Sequence, residues 1–137
     1  MAGPLESPEG DGDPRVQFWQ MSKATGRRIN AVSAMPGIDW FTPYPNGFGQ
    51  PHLRLPFRTA DDEIVLLEYR GIVQASKAFQ SAVENNTATQ WHDQYMRMAL
   101  TFETTAPRYQ WLVESLFLAR GRLVGSKSLE YEVYRVL

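Results

Sequence analysis

Carboxylates are the residues of this sequence best suited to proton transfer. Asp39 follows a Pro-Gly turn and precedes Trp40, and Glu103 lies in the strand-like run LTFETT at residues 100–105. A carboxylate enclosed in an apolar cavity has its charged form disfavoured, which raises its pKa and makes it usable as a general acid or base. Asp39 and Glu103 are therefore the candidate catalytic carboxylates.

Two arginines are the candidate partners for charge that develops in such a reaction. Arg58 and Arg97 both lie in runs that predict β-strands. Arginines on a strand surface usually form weak, solvated ion pairs. An arginine that faces a cavity would instead stabilise an enolate or phenolate. The sequence leaves both interpretations open.

Aromatic residues make up 12% of the chain, including four Trp and six Tyr. Most aromatic side chains build a core, but Tyr and Trp also suit a cavity that grips a flat ligand. Five of them form the candidate substrate-binding set: Trp40, Tyr69, Tyr95, Tyr109 and Trp111.

Several kinds of site are excluded by composition. The chain has no cysteine, which excludes disulfides and thiolate chemistry, and its two histidines lie far apart in sequence. We find no glycine-rich phosphate loop and no nucleophile elbow. We therefore expect no metal and no cofactor. The net charge of −1 gives no general reason to bind nucleic acid or an anionic membrane.

The elements that must position these side chains are short β-strands separated by turn signals. Residues 75–84 differ, because their apolar residues recur at helical spacing and predict a short amphipathic helix. Residues 41–51 hold three Pro and two Gly and predict a loop, and residues 60–63 predict a hairpin turn. The predicted strands are residues 15–21, 27–34, 52–59, 64–73, 94–105, 109–124 and 128–137.

This pattern predicts an all-β fold, either an antiparallel β-barrel or a sandwich, with one short helix. A closed barrel is favoured, because apolar strands in an open sheet would leave unprotected edges. The predicted domain spans residues 15–137, and the acidic, Pro- and Gly-rich residues 1–14 predict a disordered tail. With neither a secretory-signal core nor a membrane-spanning run in the sequence, we expect a cytoplasmic protein.

The direction of Glu103 decides between two interpretations of the site. Strand alternation groups Thr101 with Glu103 on one face and Leu100 with Phe102 on the other. On a solvated face, Glu103 would be an ordinary surface carboxylate. Asp39 likewise could simply accept hydrogen bonds from amides of its own loop. We predict instead that Glu103 points into the cavity, hydrogen-bonded by neighbouring threonine hydroxyls.

The run WLVESLFLARGRLV at residues 111–124 is apolar on both faces. A barrel wall buries only one face inside, so the other face, with Leu112, Leu116 and Leu118, needs a cover. This pattern predicts a homo-oligomer, either a dimer or a trimer.

Four segments in chain order carry a family resemblance: GRRINAVSAMPGIDW, RTADDEIVLLEYRG, YMRMALTFETTAPRYQWL and LEYEVYRVL, spread over residues 26–137. They resemble the DUF3237 family, also called UPF0311. Its pattern has a Gly-x-Arg strand, an Asp-Trp pair, an Arg-Thr-x-Asp hairpin leading to Tyr-x-Gly, and Phe-Glu-Thr before Tyr-x-Trp-Leu. The chain departs from the pattern at Val113, where the family has Asn, at Ala119, where it has Gly, and in its shorter opening strand.

The resemblance implies an antiparallel β-barrel related to allene oxide cyclase and dirigent proteins, a group in which many members have no assigned activity. Related barrels enclose an aromatic-lined cavity that controls ring closure of a reactive organic molecule. The resemblance thus implies a cofactor-independent cyclase or isomerase of natural-product biosynthesis. It would close an oxygen-containing ring on a hydrophobic aromatic, polyketide-type substrate by acid–base catalysis. The alternatives are a small-molecule-binding barrel without chemistry and a structural or interaction module.

Overall fold

The computed structural model of the chain describes residues 4–6, 15–19, 22–125 and 128–137. Over these residues the backbone forms eleven strands, a nine-residue helix α1, a 3₁₀ turn at Pro107–Tyr109 and a single helical turn α2. The strands and helices are β1 (Pro4–Glu6), β2 (Arg15–Trp19), β3 (Lys23–Thr25), β4 (Asn30–Ser33), β5 (Gly37–Pro43), β6 (Phe48–Gln50), β7 (His52–Thr59), β8 (Ile64–Gln74), α1 (Lys77–Asn85), β9 (Tyr95–Glu103), α2 (Gln110–Val113), β10 (Phe117–Leu123) and β11 (Leu129–Arg135).

The strands follow one another as an antiparallel meander. β6 and β7 are two parts of one strand interrupted at Pro51, because both pair with β8 in the same register. β4 pairs with β7, and β5 pairs with both β6 and β7, so β4 and β5 together are the next strand position of the sheet. On the other side, β8, β9, β10 and β11 pair in chain order. Over the described residues, the ladder ends at β11 on one side; on the other side it ends at β3, which pairs with β4, and at β1, which pairs with β2 beside β5.

The inner face of this sheet forms one core. Alternation points Leu53 and Leu55 of β7 and Val65 of β8 inward, and all three are fully buried. Tyr69 on β8 and Tyr131 on β11 have ring centroids only 6.0 Å apart. Two strands lie between them, which in a flat sheet would separate the two backbones by about 14 Å. The sheet therefore curls onto itself, and the predicted antiparallel β-barrel with one short helix is confirmed.

Methionine side chains fill part of the barrel interior where glycines oppose them. Gly71 on β8 is the register partner of Met98 on β9, and a Cβ atom at position 71 would overlap the Met98 sulfur. A Cβ atom at Gly121 would likewise overlap the sulfur of Met96. Such packing leaves side chains, rather than space for a ligand, between these strands.

The predicted helix at residues 75–84 corresponds to α1. Ser76 caps its first turn, since the Ser76 hydroxyl accepts the Phe79 N–H at 3.2 Å. Asn86 ends it in a left-handed conformation with φ of 55°.

The prediction of a continuous strand over residues 109–124 is wrong in its first half. The chain there forms the 3₁₀ turn and α2, and β10 begins only at Phe117. The turn is held by the Gln110 side-chain amide, which donates to the carbonyls of Thr104 and Ala106 at 2.9 and 3.2 Å. Pro107 at the first position of the turn favours this start, because its fixed φ suits a helical turn.

Residues 41–51 were predicted as loop, but they contain the end of β5 and all of β6. Pro45, Asn46 and Gly47 form the three-residue hairpin loop between these strands: the Gly47 N–H donates to the Tyr44 carbonyl at 3.3 Å, and Gly47 has a φ of 82°. The Asn46 Oδ1 atom accepts the Phe48 N–H at 3.3 Å. A turn that ends on a left-handed glycine is usual for a three-residue hairpin loop, and Pro45 suits the position after Tyr44, so the local Pro and Gly mark a hairpin here.

The predicted acidic tail contains β1, which pairs with β2 from Pro4 opposite Trp19 to Glu6 opposite Gln17. The other residues of that predicted tail lie outside the described residues. Among the helices of the described chain, none has the length and apolar character needed to cross a membrane.

Candidate functional site

A cleft of about 300 Å³ opens at one end of the barrel. Three connections meet there: the β3–β4 turn, the β7–β8 turn and the segment that joins β9 to β10. Arginines outnumber carboxylates in its lining, so the cleft is positively charged. The charged and polar side chains that line it are those of Arg27, Arg28, Asn30, Asp61, Arg108 and Tyr109.

Asp61 is the carboxylate of this cleft, and side chains from the segment after β9 hold it in place. The buried Tyr109 hydroxyl donates to Asp61 Oδ1 at 2.5 Å. Arg108 donates from Nη1 to the other oxygen, Oδ2, at 3.2 Å. The Asp61 side chain is still 35% exposed, so part of the carboxylate faces the cleft.

Arg28, in the β3–β4 turn, also lines the cleft. Its guanidinium carbon is 4.1 Å from the centroid of the Trp111 ring, a cation–π contact. Trp111 packs in turn edge-on against Phe117 of the core, with ring centroids 6.1 Å apart. In the part of the chain that the structure describes, neither Arg27 nor Arg28 forms an ion pair with a carboxylate.

Hydrogen bonds fix the three connections relative to one another. The Ala60 N–H donates to the Asn30 carbonyl at 2.8 Å, which joins the β7–β8 turn to the start of β4. The Thr104 hydroxyl donates to the Ile64 carbonyl at 2.7 Å, which joins the segment after β9 to the start of β8. The walls of the cleft are thus parts of one rigid barrel end.

The protonation states in the cleft follow from these contacts. Hydrogen bonds from Tyr109 and then Thr59, with the Arg108 charge, lower the pKa of Asp61 from 3.8 to about 2. The same hydrogen bond to Asp61 raises the pKa of Tyr109 above its ordinary value of 10.0. At neutral pH, Asp61 is therefore an ionised acceptor and Tyr109 a protonated donor.

Glu103 does not face the barrel interior, and that part of the prediction is wrong. β9 turns Leu100 and Phe102 inward, so alternation turns Glu103 outward, where it is exposed. Leu100 is buried in the core. The physical reason is that Leu100 and Phe102, the apolar residues at the alternate positions, pack against the core, and this places Glu103 on the outer face.

Arg58 and Arg97, the predicted arginines, also lie on the outer face. Arg58 forms an exposed ion pair with Asp62 at 2.7 Å. Arg97 lies 5.2 Å over the ring of Tyr95, its neighbour on the outer face of β9. Of the two interpretations that the sequence left open, the structure therefore supports the surface one, because both arginines occupy outward positions of their strands.

Asp39 is the one predicted catalytic residue inside the barrel. It is 2% exposed, and its Oδ1 atom accepts the His52 N–H at 3.0 Å. Tyr69 and Tyr131 lie near it. Burial raises the pKa of Tyr69 well above its ordinary value, and its neighbours Tyr131 and Asp39 raise it further. Asp39 lies in β5 itself rather than in a loop, since the strand runs from Gly37 to Pro43.

The predicted substrate-binding aromatics divide into three groups. Tyr109 lines the cleft, Trp111 packs against Arg28 of that lining, and Tyr69 lies in the barrel core. Trp40 and Tyr95 were predicted to line the site, but they point outward and are 50% and 47% exposed. Both occupy the outward positions of their strands, so neither reaches the interior or the cleft.

Arg28, Asp61 and Arg108 were not among the predicted site residues. Signals for the first two were present, because the Gly-x-Arg and Arg-Thr-x-Asp segments of the family pattern end on Arg28 and Asp61. What the sequence could not reveal is that the turns carrying them meet at one end of the barrel. No group of three or more His, Asp or Glu that could hold a metal ion occurs in the described ranges.

Comparison with known proteins places the chain in a family. The family described as a protein of unknown function, DUF3237, matches residues 3–136. A UPF0311 protein of Clostridium acetobutylicum is 27% identical over 96 residues, which are 70% of this chain and 61% of the relative. The chain thus spans about three fifths of the length of that curated relative.

Solved structures share the fold. A protein of unknown function from Clostridium acetobutylicum has a TM-score of 0.74 at 23% identity, covering 98% of this chain and 89% of that one. A conserved protein of unknown function from Rhodopseudomonas palustris has a TM-score of 0.78 at 24% identity, covering 90% and 80%. A β-barrel-like protein from Acinetobacter baumannii has a TM-score of 0.70 at 19% identity, covering 96% and 83%. Since the family match extends over nearly every residue of the chain, the protein belongs to the DUF3237 family.

Proposed function

We propose that this barrel binds a small organic anion with a planar ring in the cleft at its end. This is the binding-barrel function considered above, with the ligand at the end of the barrel rather than between its walls. The observation that carries this proposal is the environment of Arg28. Its guanidinium carbon lies 4.1 Å from the centroid of the Trp111 ring, beside the cleft, and it forms no ion pair with a carboxylate of the described residues.

The stacked arginine supports an anionic ligand for a geometric reason. Contact with the Trp111 ring fixes the plane of the Arg28 guanidinium, so its N–H groups are oriented before the ligand arrives. A planar fork of donors matches a carboxylate bidentately. Arg27 from the same turn adds a second positive charge. The cleft volume of about 300 Å³ is at the lower end for ligand pockets, which suits a molecule of one or two rings.

Asp61 supports binding better than proton transfer. A general base works best when its pKa is near the operating pH. The pKa of Asp61 is about 2, so this carboxylate is a weak base at neutral pH. Arg108 already balances its charge and Tyr109 donates to it, which lowers its repulsion of an anion held by Arg28.

Calorimetric titration of the full chain with benzoate, 2-naphthoate and cyclohexanecarboxylate tests this proposal. We expect the two aromatic acids to bind more tightly than the saturated ring, because a flat ring can stack on the second guanidinium of the cleft, that of Arg27, while Arg28 binds the carboxylate. Arg28→Gln should weaken benzoate binding by at least about tenfold, since a hydrogen bond to a charged group contributes about 1.5–3 kcal/mol.

Arg122→Gln is the matched control. Arg122 is also stacked on a tryptophan, 4.5 Å from the ring of Trp91, but it lies on β10 and outside the cleft. Its substitution should leave benzoate affinity unchanged. Absence of binding by all three acids, or equal losses in the two arginine variants, would contradict the proposal.

A cofactor-independent cyclase or isomerase is the second candidate function. The observation that favours it is Asp39, a buried carboxylate within the electrostatic reach of Tyr69 and Tyr131 inside the barrel. In this mechanism Asp39 would remove a proton from a substrate hydroxyl, and a tyrosine would donate to the developing charge. If Asp39→Asn abolishes turnover of an aromatic substrate while Glu103→Gln does not, catalysis belongs to the interior. Equal turnover in both variants would exclude this candidate.

We also propose that the chain forms a homo-oligomer, a dimer or trimer. Its support is the outer face of β10 and the residue before it, where Leu116 and Leu118 are 61% and 54% exposed. Tyr134 of β11 lies directly opposite Leu118 and is equally exposed. Leu112, predicted to share this face, is instead buried in the core, because α2 turns it inward.

A further inference from the structure

We infer that the ligand of the end cleft carries a hydrogen-bond donor on its ring, such as a hydroxyl, in addition to its anionic group, and that Asp61 selects for it. This inference rests on the proposed function and specifies the class of ligand. The cleft would thus take a hydroxylated aromatic acid in preference to the unsubstituted acid.

The first argument is the position of Asp61 relative to the arginines. Arg27 and Arg28 belong to the β3–β4 turn, whereas Asp61 belongs to the β7–β8 turn, and all three line the same cleft. The hydrogen bond from Ala60 N–H to the Asn30 carbonyl joins the two turns next to the cleft. A ring whose anionic group is bound by Arg28 therefore lies in a cleft that also holds a fixed carboxylate.

The second argument is the hydrogen-bonding capacity of that carboxylate. Two carboxylate oxygens offer about four acceptor positions. Tyr109 donates to Oδ1 and Arg108 to Oδ2, and Thr59 and the backbone N–H of Asp61 also stabilise the charged form. The side chain is still 35% exposed, so a donor on a ligand in the cleft can reach the carboxylate and share its oxygens.

The third argument concerns what Asp61 rejects. The hydrogen bonds of Tyr109 and Thr59 keep its pKa at about 2, so Asp61 remains an acceptor at neutral pH and cannot donate. A ligand atom that only accepts hydrogen bonds, such as an ether oxygen, would face a negative oxygen with no hydrogen between them. Sites that hydrogen-bond a ligand hydroxyl discriminate strongly against analogues that lack it.

Titration of the full chain with benzoate, 3-hydroxybenzoate, 4-hydroxybenzoate and 4-methoxybenzoate tests the inference without any change to the protein. At least one hydroxybenzoate should bind about tenfold or more tightly than benzoate. The methoxy compound has the same ring and acid but no donor, and it should bind no better than benzoate. Asp61→Asn should reduce the preference for the hydroxyl to less than about threefold while benzoate still binds.

The outcomes separate this inference from the function on which it rests. If all four acids bind with equal affinity, the proposed function stands and the role of Asp61 is overturned. If the methoxy compound gains as much as the hydroxy compounds, ring size and not a donor is selected, and the inference is again overturned. If none of the four binds, the proposed function and this inference both fall. An Asp61→Asn protein that does not fold leaves the four-ligand comparison on the unchanged chain as a sufficient test.

Discussion

Tyr109 donates its phenolic hydrogen to Asp61 across 2.5 Å and thereby joins the segment after β9 to the β7–β8 turn. The two residues are 48 positions apart in the chain. Their contact closes one wall of the cleft, and it also fixes Arg108, which lies next to Tyr109 and donates to the same carboxylate. Because this pair connects two turns, its loss should affect stability and ligand binding together.

The Asp61 carboxylate should make stability depend on pH in the acid range. Its pKa is about 2 in the folded chain, against 3.8 ordinarily, so its contribution is full above pH 3.8 and is lost as the pH falls towards 2. Asp61→Asn removes this contribution. The melting temperature of the variant should therefore lie below that of the wild type at pH 7, and the difference should shrink as the pH falls towards 2. A difference that stays constant over this range would contradict the assigned pKa.

Glu103→Gln should have little effect on the protein. Glu103 is exposed on the outer face of β9, and exposed substitutions of this kind change the free energy of unfolding by less than about 0.5 kcal/mol. Asp39→Asn is the contrasting variant, because Asp39 is buried and accepts the His52 N–H. It should cost about 1–3 kcal/mol in denaturant unfolding. If Glu103→Gln weakens benzoate binding, Glu103 has a role that its outward position does not explain.

Residue patterns predicted the strands best where alternation and turn chemistry agreed. β7 matches the predicted residues 52–59, and β8 extends the predicted run by one residue to Gln74. Between them, the turn at residues 60–63 is closed by the Thr59 N–H, which donates to the Glu63 carbonyl at 2.8 Å. Local signals suffice for a hairpin because its two strands are neighbours in sequence.

The same alternation could not decide which face of β9 is inside. It grouped Glu103 with Thr101 correctly, but only the contacts of Leu100 and Phe102 with the rest of the barrel determine the direction of each face. The cleft was beyond prediction for a similar reason. Arg28 and Asp61 belong to separate hairpins, and their proximity depends on how the sheet curls, which no local pattern encodes.

Alanine at the two inward glycines should destabilise the barrel to different degrees. A Cβ atom at Gly71 would overlap both the Met98 sulfur and the backbone carbonyl of Arg97, and the backbone cannot move aside easily. At Gly121 the overlaps are with side chains, those of Met96 and Tyr131. Overpacking a core costs about 1–3 kcal/mol. Gly71→Ala should lie at or above the upper end of that range, and Gly121→Ala should cost less.

Denaturant unfolding of the two variants measures this difference. Gly26→Ala is the control, because a Cβ atom there would have no heavy atom within 4 Å. Its free energy of unfolding should equal that of the wild type within about 0.5 kcal/mol. Equal losses of unfolding free energy in Gly71→Ala and Gly121→Ala would contradict this prediction. They would indicate that the backbones of β8 and β9 can shift apart to accommodate the added methyl group.

The apolar outer face at β10 should mediate self-association. Leu118 is 54% exposed and lies between Ala99 on β9 and Tyr134 on β11, so an acidic residue at this position would project from the middle of the patch. Sedimentation of the wild-type chain at micromolar concentration should give a dimer or trimer. Leu118→Glu should shift it to the monomer, because a charge buried in an apolar interface is costly unless it is paired.

Ile64→Glu is the matched control, since Ile64 is also an exposed aliphatic residue, 43% accessible, at the start of β8. A wild-type chain that sediments as a monomer, or loss of the oligomer in both variants alike, would show that the β10 face is not the interface.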